Sequence, residues 1–432
     1  MKRIAVSILM FSALVPFIVS SNTIAPYLDG KVLLIRGIAF GAVLMIALIF
    51  LLGKKNEQEG VWSGIKKMLS DPLLLVIMGG LILLGLSTFF AFDRVVAFFG
   101  EPQRAEGFLT FFALFAILVS FSIFFDKKDW QRFFVFMSAG SIIIVLIKCI
   151  QTIAGVYHND ALSGNPTFLA GYFIFTIFTS AVVFFENKKM GNHGLRKLGA
   201  WAFVASSFGV LLTRTRGALL GMFLATIVCL VLAMIFGKKE IIARRTLRFW
   251  SASVLIALAL FSGIFLATRH AVLWRYVPGL DRVAQVTSGD ETINSRRLFA
   301  EESLTAFWHD GGSKRVFLGW GWDNYVFFWQ KHYNPQIFYY DTAIADRSHN
   351  KFIDLLVMTG LLGLTAYISL WFLFIRKIIT VFKQNFNEGL VVIFYAITYF
   401  TFLFFAFDVP MTILGFYAVI AFVNFRIYEQ RQ

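Results

Sequence analysis

Cysteine is scarce in this chain. There are two residues in 432, Cys149 and Cys229, and both lie in apolar runs. That excludes a disulfide framework and a thiolate zinc site. No two histidines stand at metal-ligand spacing and no His-Glu-x-x-His occurs, so no metal is expected. No Walker A pattern is present. Gly319-Trp320-Gly321 lacks the third glycine and the strand–turn–helix setting of a dinucleotide fingerprint, so no cofactor is expected either. Acidic residues number 25 against 40 basic. None is placed at mid-membrane depth, and the two halves show no evident internal repeat. Both absences argue against a transporter or lipid flippase, the competing class of function.

What is present is apolar. Hydrophobic residues make up 58% and mean hydropathy is +0.73, against about 45–50% apolar in soluble domains. The expected fold is an all-α polytopic membrane protein. Aromatic residues reach 17%, led by 52 Phe, which suits lipid-facing helices. A net charge of +15 invites a nucleic-acid partner. Its location excludes one, because most Lys and Arg sit in short loops between apolar runs.

A crossing needs about 20 apolar residues. Twelve spans are predicted, near Ala5–Ile24, Val32–Leu52, Leu73–Ala91, Gly107–Phe125, Phe133–Ala154, Phe168–Phe185, Leu198–Leu212, Ala218–Phe236, Ser251–Ala267, Phe352–Ile375, Leu390–Phe407 and Met411–Phe425. The first is read as a helix rather than a signal peptide, since no small-x-small cleavage site clearly ends it. Lys54, Lys55, Lys66 and Lys67 fall on one side. So do Lys127, Lys128, Arg132, Lys188, Lys189, Arg196 and Lys197, then Lys238, Lys239, Arg244, Arg245 and Arg248, then Arg376, Lys377 and Lys383, with Lys2, Arg3, Arg426 and Arg431 at the ends. Positive-inside sorting therefore puts both termini in the cytoplasm. Residues 1–268 hold spans one to nine, 269–350 form one large, partly helical extracytoplasmic loop, and 351–432 hold the last three. Lys148, inside the fifth span, is expected to snorkel.

Arginines facing away from the cytoplasm then stand out: Arg94, Arg104, Arg214, Arg216, Arg296, Arg297 and Arg347. A guanidinium fork there suits phosphate or diphosphate oxygens. Pairing with Asp93, Glu101, Glu106 or Asp346 is the plainer alternative. The loop is rich in Trp and Tyr, among them Trp320, Trp322, Tyr325 and Trp329, which suit an interfacial belt or stacking on sugars. Ser295–Trp308 reads as an amphipathic helix capped by Asn294, which would set Arg296 in its first turn. His193 is expected in a cytoplasmic loop, and His158, His270, His309 and His332 in solvated outward stretches. His349 differs: it directly precedes a span, in Asp346-Arg347-Ser348-His349-Asn350. A titratable imidazole at a membrane boundary marks a functional site more often than an anchor.

Four stretches resemble motifs of the O-antigen ligase and O-antigen polymerase superfamily of integral-membrane glycosyltransferases, of the GT-C type. They are Gly100-Glu101-Pro102-Gln103-Arg104-Ala105-Glu106-Gly107, Gly164-Asn165-Pro166-Thr167-Phe168-Leu169-Ala170-Gly171-Tyr172, Thr213-Arg214-Thr215-Arg216-Gly217-Ala218, and the His349-Asn350 segment leading into Asp354 and Thr359-Gly360-Leu361-Leu362-Gly363. The Leu318-Gly319-Trp320-Gly321 stretch with Asn324 also resembles the family's mid-loop motif. One departure is Glu301, near where the family has Trp, which bears on the choice between Arg296 and Arg297. Spacing to Leu304 and Phe307 favours Arg296.

The resemblance implies metal-independent, inverting transfer of a glycan from a polyprenyl (undecaprenyl) diphosphate donor to an acceptor hydroxyl, outside the cytoplasm, at a bacterial inner membrane. By motif match, Arg216 and Arg296 would hold the diphosphate, with Arg104 and Arg347 as weaker candidates, and His349 would be the general base. The partners implied are the lipid-linked donor, membrane lipid and a glycan, lipid or protein acceptor. Ligation to a lipid core, repeat-unit polymerisation and protein O-glycosylation share this apparatus.

Overall fold

The computed structural model describes all residues except 157–159, 238–240, 243–244, 287–289, 311, 342–344 and 430–432. His158, Lys238, Lys239, Arg244 and Arg431 therefore lie outside the described residues. Among the described residues the fold is all-helical apart from a two-residue antiparallel pairing of Ile241–Ile242 with Arg245–Thr246. In chain order the helices are α1 (Lys2–Met10), α2 (Asp29–Leu52), α3 (Lys55–Leu69), α4 (Pro72–Phe89), α5 (Arg94–Phe99), α6 (Phe108–Phe124), α7 (Lys127–Ile153), α8 (Pro166–Met190), α9 (His193–Thr213), α10 (Arg216–Phe236) and α11 (Leu247–Thr268). The loop then carries α12 (Leu280–Ala284), α13 (Glu291–His309), α14 (Gly312–Leu318) and α15 (Tyr325–Lys331). The chain closes with α16 (Lys351–Gln384), α17 (Phe386–Phe404) and α18 (Pro410–Glu429).

Ten of these are long and apolar enough to cross a membrane: α2, α4, α7 to α11 and α16 to α18. They correspond to ten of the twelve expected spans. The other two are shorter. α6 is a 17-residue apolar helix, and the first run is a nine-residue helix followed by a 3-10 stretch, Phe11–Phe17, containing Pro16. That broken segment nonetheless runs the length of α2. Its amino terminus meets Glu57 past one end of α2, while the Ile18 carbonyl accepts from Lys31 at the other. The wider 3-10 rise, about 2.0 Å per residue against 1.5 Å, lets so few residues reach so far.

Asx caps mark where the spans begin. Asp71 accepts from Leu73 N–H ahead of Pro72, and Asn165 accepts from Thr167 N–H ahead of Pro166. Asp126 and Asp129 form a capping box at α7. Such caps satisfy backbone donors that lipid cannot. α8 and α18 form the centre, with 89% and 83% of their apolar windows buried, whereas α10 and α11 stand at the edge with 17% and 11%. Lys148 does not snorkel. It is buried at 2.6 Å from Asp160, because a carboxylate from the following turn reaches it.

α16 is 34 residues long, about 51 Å if straight, too long for a hydrocarbon core of about 30 Å. It breaks at Gly360, with φ 70° and ψ −172°, a conformation open essentially to glycine. The carbonyls of Val357 and Met358, just before the break, accept from Trp320 and Gly321 N–H, each at 3.0 Å. The Gly-Trp-Gly stretch is thus a strap that satisfies a broken helix. Trp320, Trp322, Tyr325 and Trp329 are buried in the loop's own core with Phe299, Phe307 and Met358, so they form neither a belt nor a sugar platform.

Candidate functional site: a cationic lateral cavity

The connection between α9 and α10 is two residues long. Arg214 takes a left-handed φ of 53° and closes the turn onto the Leu211 carbonyl. Thr215 then stands at the N-cap position of α10 in an extended conformation, without a side-chain cap, and Arg216 becomes the helix's first residue. The Arg216 Nε donates to the Arg282 carbonyl at 3.0 Å, and a terminal nitrogen donates to Asp290 Oδ2 at 2.7 Å. Its partners therefore come from α12 and the start of α13. The guanidinium in turn holds the Asp290 carboxyl below the usual carboxylate range.

α13 begins at Glu291, with Asp290 and not Asn294 as its cap: Asp290 Oδ1 accepts from Ile293 N–H. The expected helix thus starts a turn too late, and Arg296 sits in the second turn, beyond the free N–H groups. Leu298, Phe299, Ala306 and Phe307 bury the helix against the loop core. Arg296 is half-buried and has no acidic partner among the described residues. Burial foremost, then the neighbouring charges of Arg216 and Arg282, lower its pKa, against the pull of Asp290. An arginine stays protonated through such a shift. Arg297 is exposed and pairs with Glu301 at 3.4 Å.

His349 takes φ 58°. Its ring lies between Phe299 and Phe407, with centroids 5.9 and 5.4 Å away. The flanking residues fix the turn. Ser348 donates to Asp354 through N–H and Oγ, at 2.8 and 2.7 Å. Asn350 caps α16 through Phe352 and Ile353 N–H and donates to the Phe404 carbonyl. Burial, followed by the charge of Arg296, pushes the His349 pKa down to about 4, while Asp346 opposes and Arg104 assists.

Arg216, Arg296, Arg297 and His349 line one cavity of about 880 Å³. Beneath this rim the walls are apolar: Leu219, Leu220 and Phe223 on α10 face Leu258, Phe261 and Phe265 on α11. From Arg216 to Thr226 the lining descends ten residues, about 15 Å. Leu220 and Phe261 are partly exposed, at 41% and 45%, so the wall between α10 and α11 opens sideways.

Arg104 and Arg347 do not line it. Arg347 is buried among Glu106, at 3.0 Å, Asp323 and the Asp346 carbonyl. Those carboxylates raise its pKa further, and a guanidinium so enclosed has no face for a ligand. Arg104 pairs with Asp346 and lies over Phe407 at 4.4 Å. For these two the plainer alternative of pairing describes what is seen. His332 is partly exposed, and its ring meets Asp310 at 2.5 Å. Sequence reasoning missed Asp290, Arg282 and Phe407, and read Phe299 only as part of the apolar stripe of its helix. Asp290 carried a signal, as an Asp standing one residue ahead of a helical pattern.

The molecule is thus a polytopic helical membrane protein with a lateral, apolar-walled cavity under a cationic rim. Residues 201–368 match the family model for O-antigen ligase. The matched stretch runs from α9 into α16 and so holds Arg216, Arg296 and His349. No curated protein matches the chain.

Proposed function

We propose that the protein transfers a glycan from a polyprenyl diphosphate to an acceptor hydroxyl, on the extracytoplasmic face of a bacterial inner membrane, with both termini in the cytoplasm. One observation carries the reading. Two arginines and a histidine, up to 133 positions apart (349 − 216), converge on a single cavity whose walls continue as an apolar groove. A lipid-linked diphosphate has the same two-part chemistry, an anion joined to a hydrocarbon tail.

The acceptor oxygen attacks the anomeric carbon, and the bond from that carbon to the phosphate oxygen breaks. The acceptor proton passes to His349, and polyprenyl diphosphate departs with the electron pair. Burial and then the charge of Arg296 hold the His349 pKa down to about 4, so the ring is neutral near pH 7 and able to accept that proton, as a weaker base than a free imidazole until the bound diphosphate offsets Arg296. Arg216 and Arg296 meet the charge that develops on the leaving diphosphate. They supply the neutralisation a divalent cation gives elsewhere, so transfer is expected to persist in EDTA. In-line attack inverts the anomeric centre. Arg104 and Arg347 act as anchors of the 346–350 turn instead of ligands, through Asp346, Glu106 and Asp323.

The test is transfer by purified protein from a polyprenyl-diphosphate glycan to a panel of lipid-core, polysaccharide and protein acceptors. Product with any of these supports the reading. Hydrolysis only, or translocation of the intact lipid-linked glycan without transfer, would defeat it.

A further inference from the structure

Arg216 is not free in this structure. Its Nε is taken by the Arg282 carbonyl and one terminal nitrogen by Asp290. A guanidinium carries five N–H donors, and phosphate recognition uses them in pairs along an edge. The edge of Arg216 nearest the loop is therefore already occupied. Asp290 is also the carboxylate acting on a crowded set of cations, since both it and the charges of Arg216 and Arg282 reach Arg296.

We propose that Asp290 is an internal counter-ion, which the donor's diphosphate displaces from Arg216 and which recaptures that guanidinium as polyprenyl diphosphate leaves. The inference rests on the function proposed above and adds a residue that sets donor affinity and product release. Three physical points support it. Half-buried guanidinium groups carry a desolvation cost, and a single carboxylate at 2.7 Å from Arg216 offsets part of it. A diphosphate brought against Arg216 meets like charge while Asp290 remains, so the two anions compete for one fork. The displaced carboxylate has a second home: its other oxygen already accepts from Ile293 N–H at the start of a 19-residue helix, where partial positive charge favours an anion. Exchange therefore strands neither Asp290 nor the helix.

The same competition helps empty the site. Two arginines that stabilise the leaving diphosphate also hold it afterwards. A carboxylate waiting on α13, and returning to Arg216, lowers the barrier to its departure.

Asp290→Asn separates charge from fold, because Asn caps a helix about as well as Asp. Binding of inorganic pyrophosphate to the full chain in nanodiscs, followed by calorimetry, should tighten roughly tenfold, the equivalent of about 1.4 kcal/mol. Steady-state turnover should fall while a burst of first-turnover product appears. Asp290→Ser, another capping residue, should tighten binding in the same direction. Unchanged or weaker pyrophosphate binding in both variants would overturn the proposal and leave Asp290 a structural tie. The failure of the underlying function looks different: wild-type protein would not bind pyrophosphate, or Arg216→Gln would bind it as well as wild type, and both ideas would fall.

Discussion

The most exacting consequence of the site concerns the basicity of His349. Its pKa stands at about 4 instead of 6.5, with burial the largest cause and Arg296 the next. That depression disfavours the imidazolium form by roughly 3 kcal/mol. Arg296→Gln removes the larger of the two arginine contributions and leaves burial in place, so it should raise the pKa by roughly one unit. The sign follows directly. A histidine whose folded pKa is depressed is neutral above that value, and the native state loses stability as pH falls from about 6.5 toward about 4. In the variant the loss is smaller, and the acid limb of kcat/KM moves to higher pH. Carbon-labelled imidazole signals read the titration in nanodiscs. The chain has six histidines, and His349→Gln identifies the signal by its disappearance. Adding pyrophosphate to the wild type should shift the titration upward too, since an anion beside Arg296 cancels its effect. A pKa that stays put or falls in Arg296→Gln would show that Arg296 does not act on His349, and the shared-cavity reasoning would fail with it.

Two further predictions concern the frame that holds the site. Gly360→Ala places a Cβ 2.3 Å from the Phe317 carbonyl carbon, at a φ and ψ that Ala avoids. It should destabilise the fold by at least about 2 kcal/mol, seen as a lower melting temperature, and a melt within a degree of wild type would discount the strap across the kink. Lys351 and Asp408 form a buried pair at 3.1 Å, with Tyr399 also donating to Asp408, and they follow His349 by two residues and Phe407 by one in the chain, respectively. Lys351→Met alone should cost about 3–5 kcal/mol by stranding the carboxylate, and Lys351→Met with Asp408→Leu should cost less; a double variant worse than the single would contradict this.

The apolar runs were legible because a bilayer imposes length and composition on each one separately. The cationic rim was legible in part, since Arg216 and His349 stand in short distinctive stretches and Arg296 follows a readable helical stripe. What was hidden is non-local. Arg347 stood as a ligand candidate because its enclosure needs Asp323, 24 positions away, as well as the Glu106 already weighed as a partner. The break in α16 depends on Phe317 and on backbone donors from Trp320 and Gly321, none of which an isolated Thr-Gly-Leu-Leu-Gly reveals. The start of α13 was misread because Asn294 and Asp290 are both good caps, and only tertiary pairing with Arg216 favours the earlier one. Lys148 was misplaced for the same reason, its partner Asp160 lying outside the apolar run.

The central claim is that His349 is the base of a transfer whose donor is held by Arg216 and Arg296. The direct measurement compares purified wild type with His349→Ala, Arg216→Ala and Arg296→Ala, following both binding and transfer of a polyprenyl-diphosphate glycan in nanodiscs. The account predicts that His349→Ala binds donor like wild type yet forms less than about a hundredth of the product, in line with a general base worth 10²–10⁴-fold, and that each arginine variant binds donor at least about tenfold more weakly. Normal transfer by His349→Ala, or unchanged donor affinity in both arginine variants, would contradict it.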